Sequence, residues 1–571
     1  MDFREKYALW KQHLTGTPDE ADLLAYEADA AEMEEAFYRD LEFGTAGMRG
    51  VIGLGTNRIN IYMVRRATQG LAEYILQQGR ATDGVVIAYD SRIMSAEFAR
   101  ETALTLAANG VKAYLYDKLT GVPQLSYSVL QLGCAAGVAI TASHNPAKYN
   151  GYKVYGADGG QLAGEMASAV IACIEAIPDP FCAKTMDESA ALTSGLLEYV
   201  GEALDRRYIA DVLSLAADAA PLVRAQAAQL PVVYTPLHGT GLLPVTRVLG
   251  ALGLQLHVVK QQQQPDGRFP TVTAPNPENP DAFRLAIALA EETGANLLLA
   301  TDPDCDRLGV AVRDAAGGFK LLTGNQIGCL LLEYLLSRGA LPEDAFVVRS
   351  IVSSPLADRI AAQYGVEMRQ VLTGFKYIAE QIRLSQESGQ GHFLFGFEES
   401  YGFLAGDFVR DKDACIAAML VVCAAAQEAS HGRTLADALT ALYQKYGWFE
   451  EHVISITREG MAGLAQIRHA VDSLRQSPPT TIGSLPILAI GDYQRGELRQ
   501  LASGHCEPIH LPHADVLYYE LSCGSLIIRP SGTEPKLKAY LSVNAASQQT
   551  AQETYRKLQQ GVDALLQPLL A

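Results

Sequence analysis

Short apolar runs alternate along this chain with longer stretches of helix-forming composition, and the alternation restarts several times. Residues 85–89 (VVIAY) read as a strand, 95–109 as a helix, and 111–116 and 137–141 as further strands. The pattern restarts at 231–235, 254–259 and 296–300, and again at 345–348 and 367–371. Apolar strands separated by helical spacers predict βαβ units with helices on both faces of each sheet. Beyond residue 448 the pattern changes. Strands near 454–457, 516–521 and 525–529 precede one long C-terminal helix, which is closer to α+β. Residues 1–40 read as a helical lead-in, interrupted at Gly16-Thr17-Pro18, with helices expected over 19–27 and 31–41. Proline in a first turn costs no hydrogen bond, and the acids after it favour the helix dipole. The divisions predict four domains, at 1–205, 206–322, 323–448 and 449–571.

Composition narrows the function. A chain of 571 residues, 49% of them apolar, is too long for one core and too apolar for compositional disorder. The balance of 46 Lys+Arg against 64 Asp+Glu gives −18, which argues against binding nucleic acid or an anionic membrane. A local cation cluster for a small anion remains compatible with it. Nine scattered cysteines without a CxxC pair predict a reducing compartment rather than a disulfide scaffold or zinc site. The N-terminus lacks the basic-then-apolar order of a signal peptide. The run CIAAMLVVCAAA at 415–426 is too short to span a bilayer and reads as a buried helix. The expected location is the cytoplasm, as a monomer or weak homodimer.

Four segments carry the chemistry. In VAITASHNPAKYNGYKVYGADGG (138–160) an apolar run ends in Thr141 and Ala142 and delivers Ser143 and His144 into a turn closed by Asn145-Pro146. Lys153 lies ten residues beyond Ser143. A serine at the C-terminal end of a strand is where open α/β folds place chemistry, and nearby cations suit a nucleophile that handles phosphate. In LLLATDPDCDR (297–307) a buried strand delivers Asp302, Asp304 and Asp306 at alternate positions. Three hard oxygen ligands can converge on one divalent cation, Mg²⁺ if a phosphate adds a ligand; a solvated acidic turn is the alternative. Arg307 and Arg313 stand where a calcium loop needs glycine and glutamate.

In GFEESYG (396–402) an extended backbone would point Glu398 and Ser400 the same way, suited to adjacent sugar hydroxyls; a helix N-cap at Ser400 or a surface loop is the competing reading. In RPSGTEPK (529–536) Arg529 can grip a phosphate while Ser531, Thr533 and the amides around Gly532 form a nest, although such clusters are also ordinary turns. Arg49, in the glycine-rich segment 43–50, meets either a phosphate or an acid of the lead-in. Lys376 reads as a phosphate contact or a solvated loop lysine, and His238 as a hydrogen-bonded structural histidine in preference to one facing the cleft.

Taken together, TASHNP, DPDCDR, GFEESYG and RPSGTEPK resemble the α-D-phosphohexomutase superfamily, in its order and in four successive domains. The resemblance is greatest to the branch of phosphoglucomutases and phosphopentomutases that carries GFEESYG. It implies three mixed α/β domains and a smaller α+β C-terminal domain around a central cleft. It implies a transferred phosphoryl on Ser143 and one Mg²⁺ per chain, held by Asp302, Asp304, Asp306 and an oxygen of that phosphate. Glu398 and Ser400 then match the sugar-reading pair, and Arg529, Ser531, Gly532 and Thr533 the distal-phosphate loop. Arg49, Lys153 and Arg307 resemble the active-site cations, and His144 the histidine flanking the serine.

The implied activity interconverts α-D-glucose 1-phosphate and glucose 6-phosphate through glucose 1,6-bisphosphate. Ribose or deoxyribose 1-phosphate and mannose 1-phosphate are the alternative substrates, with Lys153 or His144 as the proton carrier. A serine hydrolase is disfavoured, because adjacent residues rarely set base against nucleophile and no GxSxG surrounds Ser143. A non-enzymatic sensor would need only the phosphate loop.

Overall fold

The structure is a computed structural model that describes residues 1–44, 47–314, 316–458, 460–531 and 536–570, except for the side chains of 460–462. It contains two compact units, Met1–Ile327 with Ile378–Leu435, and Gly328–Tyr377 with Ala436–Ala571.

In the first unit, β1 (Met48–Val51), β2 (Val85–Tyr89), β3 (Ala113–Tyr116), β4 (Ala136–Ile140), β5 (Tyr149–Gly156) and β6 (Leu197–Val200) form one sheet in the order β1-β5-β4-β2-β3-β6. The β4-β2-β3-β6 half is parallel, while β5 and β1 are added antiparallel. Every residue of β4 is buried, as its unbroken apolar run requires. A second sheet contains β7 (Val232–Thr235), β8 (Leu256–Val258), β9 (Leu297–Thr301), β10 (Leu308–Arg313) and β11 (Phe319–Leu321) in the order β11-β10-β9-β7-β8. Its β9-β7-β8 core is parallel. Both sheets therefore send the C-terminal ends of central strands toward their following loops, where Ser143 and the acidic triplet lie.

The lead-in opens with a helix over Phe3–Leu14, capped by Asp2 and Glu5 in reciprocal hydrogen bonds. Tyr7, Trp10 and Leu14 bury against Phe37, Tyr62 and Met63. The two other expected helices are shorter. The segment from Glu20 is α-helical only to Leu24 before a 3₁₀ turn, and the next helix is Ala30–Phe37, four residues short of its expected end. Asn57 supplies the reason: its backbone and side-chain amides take the carbonyls of Ala36 and Glu35, which end the helix against the loop before Ile61.

The first unit also holds the hairpin of β14 (His392–Glu398) and β15 (Gly402–Ala405), followed by a helix over Ala414–Ser430 whose residues 414–426 are all buried. The expected buried helix at 415–426 is therefore present. Among the described residues no single helix is long and apolar enough to cross a membrane. The second unit combines β12 (Ala345–Ser350), parallel to β13 (Glu367–Val371), with an antiparallel sheet built on Trp448–Thr457, Leu485–Asp492, Leu517–Leu521, Gly524–Pro530 and Lys536–Ala545. Ile351, Val352 and Leu372 pack there against Val516, Ile527 and Tyr540. The helix Gln548–Leu566 closes the chain, and its buried Leu558, Val562 and Leu566 join that sheet's core.

Candidate active site

Ser143 sits three residues past the end of β4, in the left-handed backbone region at φ 52°. An L-residue pays roughly 1–2 kcal/mol to be there, so the surroundings must impose it. Two buried side chains do so. Thr141 Oγ1 accepts the Ser143 N–H at 2.8 Å and donates to Asp90 Oδ2 at 2.6 Å. Arg92, fully buried, donates to the carbonyls of Ser143 and Asn145, and to those of Pro146 (3.0 Å) and Tyr149 (2.9 Å). Its guanidinium pairs with Asp90 at 3.3 Å and lies over the Phe269 ring. One planar fork of donors thus shapes the whole loop that presents the serine.

All of β9 is buried, and the chain turns immediately after it through Cys305 at φ 57°. Asp302, Asp304 and Asp306 are 0%, 1% and 2% exposed, and one oxygen from each lies within 4.8 Å of the others. Asp302 Oδ1 accepts the backbone N–H groups of Asp306 (3.1 Å) and Arg307 (3.0 Å), while its Oδ2 accepts from Ser143 Oγ at 2.9 Å. Burial, then Asp304 and Asp306, push the Asp302 carboxyl well above its ordinary range. Burial also opposes charge on Asp304, but Lys153 Nζ at 2.8 Å outweighs it and holds that carboxyl down.

Asp304 Oδ1 and Asp306 Oδ1 are buried without a hydrogen-bond partner. Unpaired carboxylate oxygens in a dry site are costly, and a hard divalent cation would satisfy these two together with an oxygen of the adjacent Asp302. The residues fit Mg²⁺ on this ground, and they exclude the solvated acidic turn considered from sequence.

Cations enclose the same point. Lys153 on β5 also approaches Asp306 Oδ2 at 3.6 Å, and Arg307 Nη1 meets Glu278 at 2.6 Å. Arg49, exposed on edge strand β1, faces Gly151 of β5 in register and donates to Asn145 Oδ1 at 3.3 Å. His144 Nδ1 lies 3.2 Å from Ser143 Oγ. Burial, then Arg307, Arg49, Arg92 and Lys153, drive its pKa well below 6.5, so the imidazole is neutral at pH 7.

Sequence reasoning missed Lys412. Its Nζ lies 3.1 Å from Asp306 Oδ2 and 2.9 Å from Asp411 Oδ1, and this buried ammonium's pKa is raised by Asp306, Asp411 and Glu398 against the cost of burial. Tyr155 donates to Asp411 (2.8 Å) and Tyr208 to Asp413 (2.8 Å), while Asp413 caps the helix Ala414–Ser430. The available signal was RDKD set directly before an unbroken apolar helix. Arg92 was missed too, because its partners lie some fifty residues away along the chain.

The hairpin corrects one expectation. Glu398 ends β14 and is buried, but the strand does not run on to Ser400. Residues 399–401 form the turn, closed by Tyr401 at φ 65°, and β15 resumes at Gly402, opposite Glu398. Ser400 therefore sits on a three-residue turn rather than in line with Glu398, because a hairpin of this length needs a left-handed residue at its end. No helix begins there, which removes the N-cap reading. Leu308 N–H donates to Tyr401 O (3.1 Å), Asp413 N–H to Phe403 O (2.8 Å) and Ala414 N–H to Cys305 O (3.2 Å). Acidic loop, hairpin and the 410–413 loop are thus stitched together through backbone.

In the second unit Lys376 is half-buried near the start of the helix Phe375–Ser388, its ammonium over the Tyr377 ring. Arg529 lies on the strand Gly524–Pro530 opposite Lys538, and Ser531 N–H donates to Lys536 O at 2.7 Å. Gly532 and Thr533 lie outside the described residues. His238 is structural, as expected. Its Nδ1 meets the Gln264 carbonyl at 2.9 Å and its Nε2 the Thr271 hydroxyl at 3.0 Å.

Comparison with known proteins agrees with this geometry. Residues 40–180, 206–317 and 323–446 match the phosphoglucomutase/phosphomannomutase alpha/beta/alpha domains I, II and III in turn. A phosphoglucomutase of Staphylococcus haemolyticus is 40% identical over 528 residues, 91% of this chain and 94% of that protein. A phosphoglucomutase of Staphylococcus aureus is 39% identical over 515 residues, 90% of this chain and 91% of its own. Among solved structures, the open form of the Paramecium exocytosis-sensitive phosphoprotein parafusin, a phosphoglucomutase, superposes with a TM-score of 0.68 at 16% identity, covering 93% of this chain and 96% of that one. A phosphoglucomutase/phosphomannomutase family protein of Burkholderia thailandensis superposes with a TM-score of 0.64 at 19% identity, covering 91% and 97%. With three successive domains matched and near-full-length relatives at about 40% identity, the chain belongs to the phosphoglucomutase/phosphomannomutase family, the magnesium-dependent phosphosugar mutases of the isomerase class.

Proposed function

We propose that this chain is a phosphoglucomutase that interconverts α-D-glucose 1-phosphate and glucose 6-phosphate through a phosphoserine at Ser143. The observation that carries the reading is Ser143 Oγ, 2.9 Å from Asp302 in a buried triad with two unpaired oxygens. The near-full-length relatives at 38–40% identity that are named phosphoglucomutase support glucose as the sugar. In this scheme the bond from Ser143 Oγ to phosphorus breaks as one forms to the free hydroxyl of the sugar monophosphate, giving glucose 1,6-bisphosphate. Return of the other phosphoryl to Ser143 releases the isomer.

The residues of the first unit have parts that their positions support, and those of the second are assigned from the sequence and its family resemblance. Asp302, Asp304 and Asp306 would hold one Mg²⁺, which when bound supplies positive charge to a phosphoryl oxygen. Lys153, Lys412, Arg307 and Arg49 offset charge on the transferring group, the main demand of phosphoryl transfer. His144 Nδ1, held neutral 3.2 Å from Ser143 Oγ, is placed to take the hydroxyl proton when the serine is rephosphorylated. Glu398 reads sugar hydroxyls from the end of β14, with Ser400 on the adjoining turn. Lys376, Arg529 and Ser531, with Gly532 and Thr533, serve the phosphate that is not being transferred.

Intact-mass analysis of protein incubated with glucose 1,6-bisphosphate tests the core of this, with an adduct of about +80 Da expected on Ser143. Ser143→Ala should lose the adduct and all turnover; a fully active Ser143→Ala enzyme refutes the mechanism. Comparison of kcat/KM for glucose, ribose and mannose 1-phosphates tests the sugar. A tenfold preference for either of the others refutes the glucose assignment and leaves the mutase chemistry standing.

A further inference from the structure

We infer that Glu278 is a positioning residue that holds the Arg307 guanidinium off the metal-binding carboxylates. The inference deepens the mutase reading and rests on it only for the nature of the cation. Arg307 has little backbone freedom. Its N–H donates to Asp302 Oδ1 at 3.0 Å, it bridges to Gly402, and the next N–H, of Leu308, donates to Tyr401 O. Only the side chain can choose a partner. Its Nη1 donates to Glu278 Oε1 at 2.6 Å. At the other edge Nε stands 3.8 Å from Asp306 Oδ1, beyond hydrogen-bond length, and both of these atoms are buried without a hydrogen-bond partner.

Two buried, oppositely charged atoms that close, neither of them hydrogen-bonded, would ordinarily collapse onto each other. Here the far end of the guanidinium is tethered, and the tether is firm. Glu278 N–H donates to Asn276 Oδ1 at 3.0 Å in a turn also closed by Asn279 N–H to Asn276 O. That turn lies directly on β10, since a Cβ at Gly309 would stand only 2.5 Å from Pro277 O. Asp306 Oδ1 is thereby kept for a cation, and the Nε edge of Arg307 for a phosphate oxygen. Without Glu278, Arg307 would close on Asp306 and compete with the metal. Closing the 3.8 Å gap to hydrogen-bond length, at the effective dielectric of a protein site, corresponds to about a tenfold loss of cation affinity.

The experiment is a double-mutant cycle on the full chain, with Mn²⁺ binding read by electron paramagnetic resonance of the free ion. Glu278→Ala should weaken Mn²⁺ about tenfold in the wild-type background and by less than about twofold in an Arg307→Ala background, while Glu278→Asp stays within about threefold of wild type. An equal loss in both backgrounds, or no loss in either, overturns the proposal. Should Glu278→Ala not fold, Glu278→Met, which fills the same space but offers Arg307 no strong acceptor, carries the same cycle. Failure of the mutase reading appears separately, as a wild-type protein that neither converts glucose 1-phosphate nor takes a phosphoryl group on Ser143.

Discussion

Gly402→Ala separates the charge of Lys412 from every other feature of the site. Gly402 opens β15 opposite Glu398, and its φ is not in the left-handed region, so an alanine backbone fits the strand. The difficulty is the space above it. A Cβ at this position would stand 2.7 Å from Lys412 Cγ and closer still to Cδ. The alanine therefore cannot coexist with the lysine stem as it lies, and Lys412 must leave Asp306 Oδ2, now 3.1 Å away. Drawing this buried ion pair apart by about 1.5–3 Å, at an effective dielectric of about 20, costs about 1.5–2.5 kcal/mol. If the pair matters equally in the transition state, kcat falls by about ten- to a hundredfold.

The assay is initial-rate conversion of glucose 1-phosphate at saturating Mg²⁺ and bisphosphate, coupled to oxidation of glucose 6-phosphate. A melting temperature within a few degrees of wild type shows that the fold is kept. The decisive comparison uses Lys412→Met, which removes the charge outright. Adding Gly402→Ala to Lys412→Met should cost little more, because the group it displaces is already gone. Wild-type kcat in Gly402→Ala, or full additivity of the two changes, refutes the argument.

Three further outcomes are expected. Arg92→Met strands the buried Asp90 carboxylate and frees four carbonyls, so it should cost about 3–5 kcal/mol, while Arg92→Lys costs less; melting temperatures in the reverse order count against the clamp. Asp413, fully buried, has its pKa pushed up to about 6 by burial, from 3.8, so its stabilising contribution is full below about pH 4 and is lost as pH rises through 6. Asp413→Asn, which keeps a capping oxygen for Ile416 N–H, should therefore gain on wild type by on the order of 2–3 kcal/mol between pH 4 and pH 8, and a melting-temperature difference that does not change with pH refutes this. Chelation should abolish turnover, and Mg²⁺ added back should raise the melting temperature by mass action; an unchanged melting curve would argue that the triad holds no cation.

What the sequence disclosed and what it withheld divide along a physical line. Leu297–Thr301 and Ala136–Ile140 were legible because a strand buried on both faces must be apolar throughout. Asp302, Asp304 and Asp306 were legible because three carboxylates rarely crowd together without a cation. Arg92 and Glu278 were not, because each works on a partner far away along the chain and lies in a segment of ordinary loop composition, while the RDKD signal around Lys412 does not disclose its distant partner Asp306. Ser400 was misplaced for a different reason. Period-two reasoning assumes the strand continues, and a three-residue hairpin turn interrupts it one residue earlier. The lead-in helices were overextended because propensity says nothing of Asn57, which claims the carbonyls that would have continued the last one.

The left-handed backbone at Ser143 also decides which hydroxyl the enzyme can use. Threonine carries the same nucleophile, and at most positions the exchange would be conservative. At φ 52°, however, a β-branched side chain is a steric outlier, and the buried Thr141, Asp90 and Arg92 leave the backbone no room to relax. The added methyl would either force the loop out of its clamp or turn the oxygen away from Asp302. Drift at this position is thus confined to unbranched residues, and among them serine alone offers an aliphatic hydroxyl. The choice of nucleophile is fixed by conformation as firmly as by reactivity.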